Sequence, residues 1–283
     1  FSINKFNITI INCLRQLIIV IFESIELLIY TKKHQMKKII FMLSFVFTMT
    51  AMNAQIIQSR LLTVDQENME EFMEGVAEKT KMYNSKKGQA NYLTFQILTG
   101  KNAQNFIRMQ VSDSIQELDK VDTKGNKWWQ KKVGSLHKST GNYMWSMNKN
   151  MSYNSKNTER QNHRRVIYYN YKDSGEKDFW RFRERVKKAM VAANFGQNMN
   201  VMYCNSGCDG NMVQVRFHHK NFTGQNNDYG KPLTDMIAKY DELYGKDAYE
   251  QDSQKVDESL MPNGRMIRHQ VLIPELSSPA NME

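Results

Sequence analysis

Residues 57–84 read IQSRLLTV and then DQENMEEFMEGVAEKTKMYN, and the apolar period changes at residue 65. The first eight residues are rich in branched side chains, which predicts a strand. In the second part, apolar side chains recur at i, i+3, i+4 and i+7, which predicts a helix with one buried face. We expect Asp65 to be the N-cap of this helix. The stretch therefore predicts a strand followed directly by a helix.

The same kind of pattern continues outward along the chain. Alternating apolar residues predict strands over 91–98 and 105–111, then a helix within 114–133 and a strand over 142–147. The order then returns, with a strand over 165–171, a helix over 176–194, strands over 200–204 and 212–218, a helical stretch within 232–260 and a strand over 265–273. The order strand, helix, strand, strand, helix, strand thus occurs twice.

A βαββαβ unit forms an antiparallel sheet with two helices on one face. Its other face needs cover, because the strands carry apolar residues on both sides. We therefore predict an α+β fold of two tandem ferredoxin-like βαββαβ units that form an intramolecular alpha-beta barrel. The predicted boundaries are 55–151 for the first unit, 152–163 for a polar linker and 164–283 for the second unit.

This repeated order, over residues 56–276, resembles the tandem dimeric alpha-beta barrel proteins. That superfamily includes antibiotic-biosynthesis monooxygenase-like, stress-responsive and chlorite-dismutase-like members. The resemblance implies a site between the sheet and its helices or within the barrel. Some members use haem, some need no cofactor and some have no known activity. Because the resemblance rests on element order, it transfers no functional residue to this chain.

Residues 36–54 have the pattern of a secretory signal peptide. Lys37 and Lys38 precede the apolar run IIFMLSFVFTM, and small and polar residues continue to Ala54. We therefore expect an exported protein, periplasmic or extracellular, that begins near Gln55.

Residues 1–35 are expected to be translated upstream DNA rather than protein structure. The alternative is a membrane span over residues 8–30, which three charged residues disfavour, namely Arg15, Glu23 and Glu26. We expect no stable span after signal cleavage.

Charge and cysteine content fit export. Residues 55–283 carry 33 basic and 27 acidic residues, a net charge of +6, against +10 for the whole chain. A mildly basic exported protein is not expected to bind nucleic acid. Cys204 and Cys208 lie in a turn rich in Gly, Asn and Asp, and outside the cytoplasm such a pair is expected to form a disulfide. A metal site would need two further ligands, and we predict none.

Two histidines are the candidate catalytic residues. His219 ends a predicted strand and shares a face with Val215 and Phe217, and His269 lies on the closing strand of the same unit. One interpretation makes them a metal ligand, a haem ligand or a general base. The other, which we favour, is a strand-end histidine bonded to a carbonyl or to water.

Candidate ligand-binding residues are Arg216, Arg268 and Trp145. Trp145 belongs to an aromatic group that either lines a pocket or packs in the core. The helix at 176–194 carries basic residues at 181, 183, 185, 187 and 188, interleaved with aromatics. They either bind an anion or form the solvent face of an amphipathic helix, and we expect the solvent face.

The sequence contains no G-x-S-x-G, H-E-x-x-H, P-loop or dinucleotide motif. Two functions follow as hypotheses, and whether the chain is an enzyme stays open between them. The favoured one is an exported non-catalytic module that binds a small apolar ligand or a protein partner. The alternative is a cofactor-free or haem-dependent oxygenase-like enzyme. The sequence favours no cofactor, and haem is possible.

Overall fold

The computed structural model describes residues 55–156 and 161–280. The predicted signal peptide, the segment before it and residues 157–160 of the predicted linker lie outside the described residues. Within the described part, no helix has the length and hydropathy needed to cross a membrane.

The first half contains four strands and two α-helices. The elements are β1 Ile56–Thr63, α1 Met69–Tyr83, β2 Asn91–Ile97, β3 Phe106–Ser112, α2 Thr123–Lys132 and β4 Lys138–Met147. The second half repeats this order and adds two helices. Its elements are β5 His163–Tyr171, α3 Glu176–Ala192, β6 Met199–Ser206, β7 Asn211–His219, α4 Phe222–Asp228, α5 Lys231–Tyr244, α6 Ala248–Ser259 and β8 Leu260–Leu272.

Several details differ from the sequence predictions, among them the following three. The side chain of Asp65 makes no capping hydrogen bond, because a 3-10 turn over Gln66–Asn68 intervenes before α1. β4 begins four residues earlier than predicted, where the pairing with β1 shifts register between Ser59 and Leu61. The predicted helical stretch within 232–260 is two helices, which separate where Gly245 has a φ of 108°.

The eight strands form a closed barrel in the order β1-β3-β2-β8-β5-β7-β6-β4. Every pair of neighbouring strands is antiparallel. The four strands of each half lie side by side, and the halves join where β2 pairs with β8 and where β4 pairs with β6. Closure leaves no edge strand unpaired, which removes the usual template for aggregation.

The barrel wall separates three apolar cores. In the first half, outward side chains such as Leu62 and Phe106 pack against Phe72 and Val76 of α1. In the second half, the outward core includes Phe179 of α3, with α5 and α6 beside it. The barrel interior holds a third core, formed by Ile57, Phe95, Met109, Trp145, Met202 and Leu272.

The expected disulfide between Cys204 and Cys208 is confirmed. It closes the turn between β6 and β7, with a sequence separation of four residues. Because stabilisation by a disulfide grows with loop length, a loop this short contributes about 2 kcal/mol in the chain-entropy model.

We predict that the double variant Cys204→Ser/Cys208→Ser keeps the fold and loses about 2 kcal/mol or less of unfolding free energy. Urea unfolding with and without a reducing agent measures this. The variant should be insensitive to the reductant, and the reduced native protein should match it. A loss above about 4 kcal/mol would mean that the disulfide stabilises more of the structure than the turn between β6 and β7.

Candidate functional site

The five candidate residues do not form one site. Side chains alternate across a strand, so neighbouring residues on β7 and β8 face opposite sides of the barrel wall. His219 and His269 lie on the outer side, where both contact the elements around α4. Arg216 and Arg268 line a cavity on the inner side, and Trp145 lies in the interior core. The structure thus divides the set between two compartments.

The outer side of the second half contains a cavity of about 240 Å³ between the sheet and the helices α3, α5 and α6. Its apolar lining includes Ile167, Tyr169, Phe182, Phe217, Leu233 and Met236. Its charged lining consists of Arg165, Arg183 and Arg265 with the carboxylates Asp228 and Asp257, and Tyr229 adds a hydroxyl group. An apolar, aromatic cavity with a few polar groups is the usual form of a small-molecule site.

Arg183 is the exceptional residue of this cavity. Its side chain comes from α3 and is only 5% exposed. The guanidinium carbon lies 4.5 Å from the ring centre of Phe182 and 5.3 Å from that of Tyr169. Nε is buried without a hydrogen-bond partner, and no described carboxylate lies within 4.0 Å of the guanidinium. A buried cation that forms no ion pair is unfavourable, so an anionic group from outside the chain would be stabilised beside Arg183.

The other two arginines of α3 behave differently. Arg185 donates to Asp252 of α6 across 2.6 Å, and Arg181 donates to the second oxygen across 3.0 Å. The Tyr240 hydroxyl also donates to Asp252. Burial alone would raise the pKa of Asp252, but these hydrogen bonds outweigh it and hold that pKa below its ordinary value. The prediction of a solvent-facing side chain is therefore wrong for Arg183, which points into the outer cavity. Arg181 and Arg185 instead form ion pairs with Asp252 of α6.

The rim of the cavity carries a second polar group. Nδ1 of His219 lies 3.2 Å from Oδ2 of Asp228, and Nη1 of Arg165 donates to the Tyr229 hydroxyl across 2.6 Å. Burial lowers the pKa of His219, as do nearby Arg165 and His269, and the bond to Asp228 does not offset them. The ring is therefore neutral at neutral pH. Because a carboxylate only accepts, Nδ1 must carry the proton in this bond.

Asp228, not His219, is the group that faces the cavity. The His219 side chain is 1% exposed and does not line the cavity, whereas Asp228 lines it and is 27% exposed. Asp228 was not predicted as a site residue because it lies on α4, a helix of seven residues that the sequence pattern does not reveal. One signal was present in the sequence, since Asn221 is a preferred N-cap residue and its side chain accepts from the Gly224 amide.

His269 has a packing role outside the cavity. Its ring lies 5.3 Å from that of Phe222, and Nδ1 lies 3.3 Å from the Thr99 hydroxyl. Burial lowers its pKa below the ordinary value, with Arg165 and His163 adding to the effect. The residue does not line the cavity, so the structure does not place it beside a ligand there.

The interior candidates lie in different surroundings. Trp145 is fully buried and donates from Nε1 to the Ser59 hydroxyl across 2.9 Å. Its contacts are those of a core residue. Arg216 and Arg268 line a second cavity, of about 220 Å³, at one end of the barrel. His218 faces the same interior, and burial, followed by Arg164 and Arg216, lowers its pKa to about 3.

The residues of the outer cavity do not fit a metal or a haem. Within the described part, no group of three His, Cys, Asp or Glu side chains is placed to hold a metal ion. Haem iron needs an axial ligand, most often a histidine or a cysteine, and neither type lines the cavity. The volume of about 240 Å³ also lies below the usual range for ligand pockets and suits one or two rings rather than a porphyrin.

Comparison with known proteins supports the fold. No family model matches the sequence, and no curated protein is significantly similar to it. A candidate monooxygenase from Lactobacillus acidophilus NCFM superposes with a TM-score of 0.52 and 12% identity, over 80% of this chain and 96% of that one. A second candidate monooxygenase, from Fusobacterium nucleatum subsp. nucleatum, has a TM-score of 0.51 and 9% identity, over 77% and 92% of the two chains.

A chlorite dismutase variant from Candidatus Nitrospira defluvii has a TM-score of 0.51 and 7% identity, over 78% of this chain and 92% of that one. At such identities these likenesses show the fold, which is α+β and of the dimeric alpha-beta barrel type. Our favoured expectation of a non-catalytic module is wrong on this comparison, because proteins that share the fold are described as monooxygenases and a dismutase.

We predict that Arg183→Met leaves the unfolding free energy of the ligand-free protein within about 0.5 kcal/mol or raises it, because the substitution removes a buried charge that has no partner. The matched variant Arg185→Met, two residues along α3, should lose about 1.5–3 kcal/mol, because it breaks a charged hydrogen bond to Asp252. Urea unfolding compares them. Equal losses would show that Arg183 has a structural partner.

We predict that stability falls as the pH drops from 6.5 toward 3. His218 titrates near 6.5 when unfolded and near 3 when folded, so the unfolded chain binds more protons in this window. The variant His218→Gln should show a shallower fall. The stability of this variant should still depend on pH, because burial also lowers the pKa of four other histidines, namely His137, His163, His219 and His269. Thermal unfolding at a series of pH values measures the slope, and an unchanged slope in the variant would contradict the assignment.

Proposed function

We propose that this protein is an oxygenase-like enzyme that needs no resident cofactor and oxidises a small hydroxylated aromatic compound in the outer cavity of its second half. One observation carries the proposal: Arg183 is buried without an ion pair in an aromatic cavity whose rim carries the Asp228 carboxylate. The comparisons support the class of reaction, because candidate monooxygenases share the fold.

The cavity selects the substrate by shape and charge. The rings of Tyr169, Phe182 and Phe217 line its walls, and aromatic walls favour an aromatic ligand. A volume of about 240 Å³ suits one or two fused rings. Arg183 supplies a positive charge deep in the cavity, so the favoured ligand is one that carries or develops a negative charge, such as a phenol that ionises.

Two groups have distinct tasks in the proposed reaction. Asp228 accepts the proton of the substrate hydroxyl, and the N–H of His219 orients the carboxylate from behind. Arg183 stabilises the phenolate that forms, because a fixed positive charge in a water-poor cavity interacts strongly with a developing anion. His219 is therefore a positioning residue, and Asp228 and Arg183 are the proposed catalytic residues.

The oxidation then balances without a further reductant. The electron-rich phenolate transfers one electron to O₂, and the phenoxyl radical and superoxide combine at a ring carbon. The resulting peroxide takes back the proton held by Asp228, and loss of water, formed from the outer oxygen, that proton and the hydrogen of the ring carbon, gives a quinone. In sum, one phenol and one O₂ give one quinone and one water, so the ring supplies all the electrons.

The proposal also includes two tandem ferredoxin-like units and a location outside the cytoplasm. Each half has the strand order of a ferredoxin-like unit, β4-β1-β3-β2 and β8-β5-β7-β6, which supports two tandem units in one chain. The disulfide supports a location outside the cytoplasm, in line with the predicted signal peptide.

The test is oxygen consumption by the purified protein with a panel of substituted phenols and naphthols. Asp228→Asn should lower kcat by roughly 10²–10⁴-fold, the usual contribution of a general base. Arg183→Met should lower kcat/KM by about tenfold or more, because a charged hydrogen bond of about 1.5–3 kcal/mol is lost.

The matched control is His269→Gln, which lies on the same side of the wall and does not line the cavity. It should keep the activity of the native protein. Turnover that is lost in the control and retained in Asp228→Asn would place the reaction elsewhere. No oxygen uptake with any phenol of one or two rings would refute the proposal.

A further inference from the structure

One end of the barrel interior holds three arginines from three neighbouring strands. Arg164 lies on β5, Arg216 on β7 and Arg268 on β8. The strand β5 lies between the other two, and its Val166 pairs with both Arg216 and Arg268. Arg164 and Arg216 are each only 3% exposed. The interior of an eight-stranded barrel is just wide enough for its side chains to fill, so three cations in that space need an explanation.

The hydrogen-bond partners of these arginines are neutral. Nε of Arg164 donates to Oε1 of Gln270 across 2.7 Å, and Arg216 donates twice to Oε1 of Gln214, across 2.9 and 2.6 Å. Nε of Arg268 is buried and has no partner. None of the residues that line the adjoining cavity is acidic. The positive charge is therefore not balanced by any described side chain around it.

This arrangement is unfavourable without a bound anion. Burial lowers the pKa of Arg164 well below its ordinary value, and the proximity of Arg216 lowers it further. Burial also lowers the pKa of Arg216, to about 10. Like charges in a medium of low dielectric constant repel strongly. An anion between them offsets both this repulsion and the cost of burying the charges.

We infer that the barrel interior binds a small oxyanion with at least two negative charges, held by Arg164, Arg216 and Arg268. The cavity of about 220 Å³ offers room for such a molecule, with Tyr168 and Gln214 among its polar lining. Exposed Thr140 also lines the cavity, so it opens at this end of the barrel. The site lies across the barrel wall from Asp228 and Arg183 and does not depend on the proposed oxidation.

The chemistry of the donors defines the class of ligand. The planar guanidinium matches the paired oxygens of carboxylate and phosphate groups. Two fully buried cations and a third beside them favour a dianion over a monoanion. Inorganic phosphate and a short dicarboxylate share this chemistry, and direct binding measurements separate them.

The experiment is titration calorimetry on the full chain at constant ionic strength, with phosphate and succinate as separate probes and chloride as the reference anion. We expect one site per chain for at least one dianion. Arg216→Gln should weaken that binding at least tenfold, whereas Lys255→Gln, which removes an exposed charge on α6, should leave it unchanged. Stronger binding of phosphate or of succinate assigns the source of the dianion.

Arg268→Gln provides a second variant if Arg216→Gln does not fold, because Arg268 is only partly buried. It should also weaken binding by several-fold. Native protein that binds neither dianion more strongly than chloride would overturn the inference. Binding that both arginine variants retain at full strength would mean a surface site and would overturn it as well.

Discussion

Alternation of side chains across a closed barrel wall decides which chemical groups of this protein can meet. Arg164 and Arg165 are adjacent in sequence, yet one lies in the barrel interior and the other at the rim of the outer cavity. His218 and His219 are divided in the same way. Because the wall is continuous and its order is closed, no side chain can change sides without breaking strand pairing. The two cavities are therefore chemically separate although one sheet supports both.

Both cavities contain a buried arginine that forms no ion pair. The contrast within α3 makes the point, since Arg181 and Arg185 share Asp252 while Arg183, between them, has rings and an open cavity as neighbours. A chain selected only for stability would place an apolar residue at such a position. Retaining an unpaired cation at a cost in stability is typical of sites that bind or transform a ligand.

The element order, the barrel type and the disulfide were accessible from sequence, because each rests on local periodicity or on spacing. Strands such as β2 alternate clearly, and Cys204 and Cys208 lie in one turn. The site was less accessible. Arg183 lies among other cations on a helix, where only the three-dimensional packing shows which of them turns inward. Asp228 lies on a short polar helix with no apolar period. Alternation along the strand places His219 and Arg216 on opposite faces, but the sequence does not say which face covers the barrel interior.

The central claim is that the outer cavity supports oxidation of a phenol by O₂ with electrons from the substrate alone. The most direct measurement is mass spectrometry of the product formed under ¹⁸O₂ in ordinary water, with no reductant added. The account predicts one ¹⁸O atom in each quinone and release of the other as labelled water. A product that carries oxygen from the solvent alone, or turnover that requires an added reductant, would contradict it.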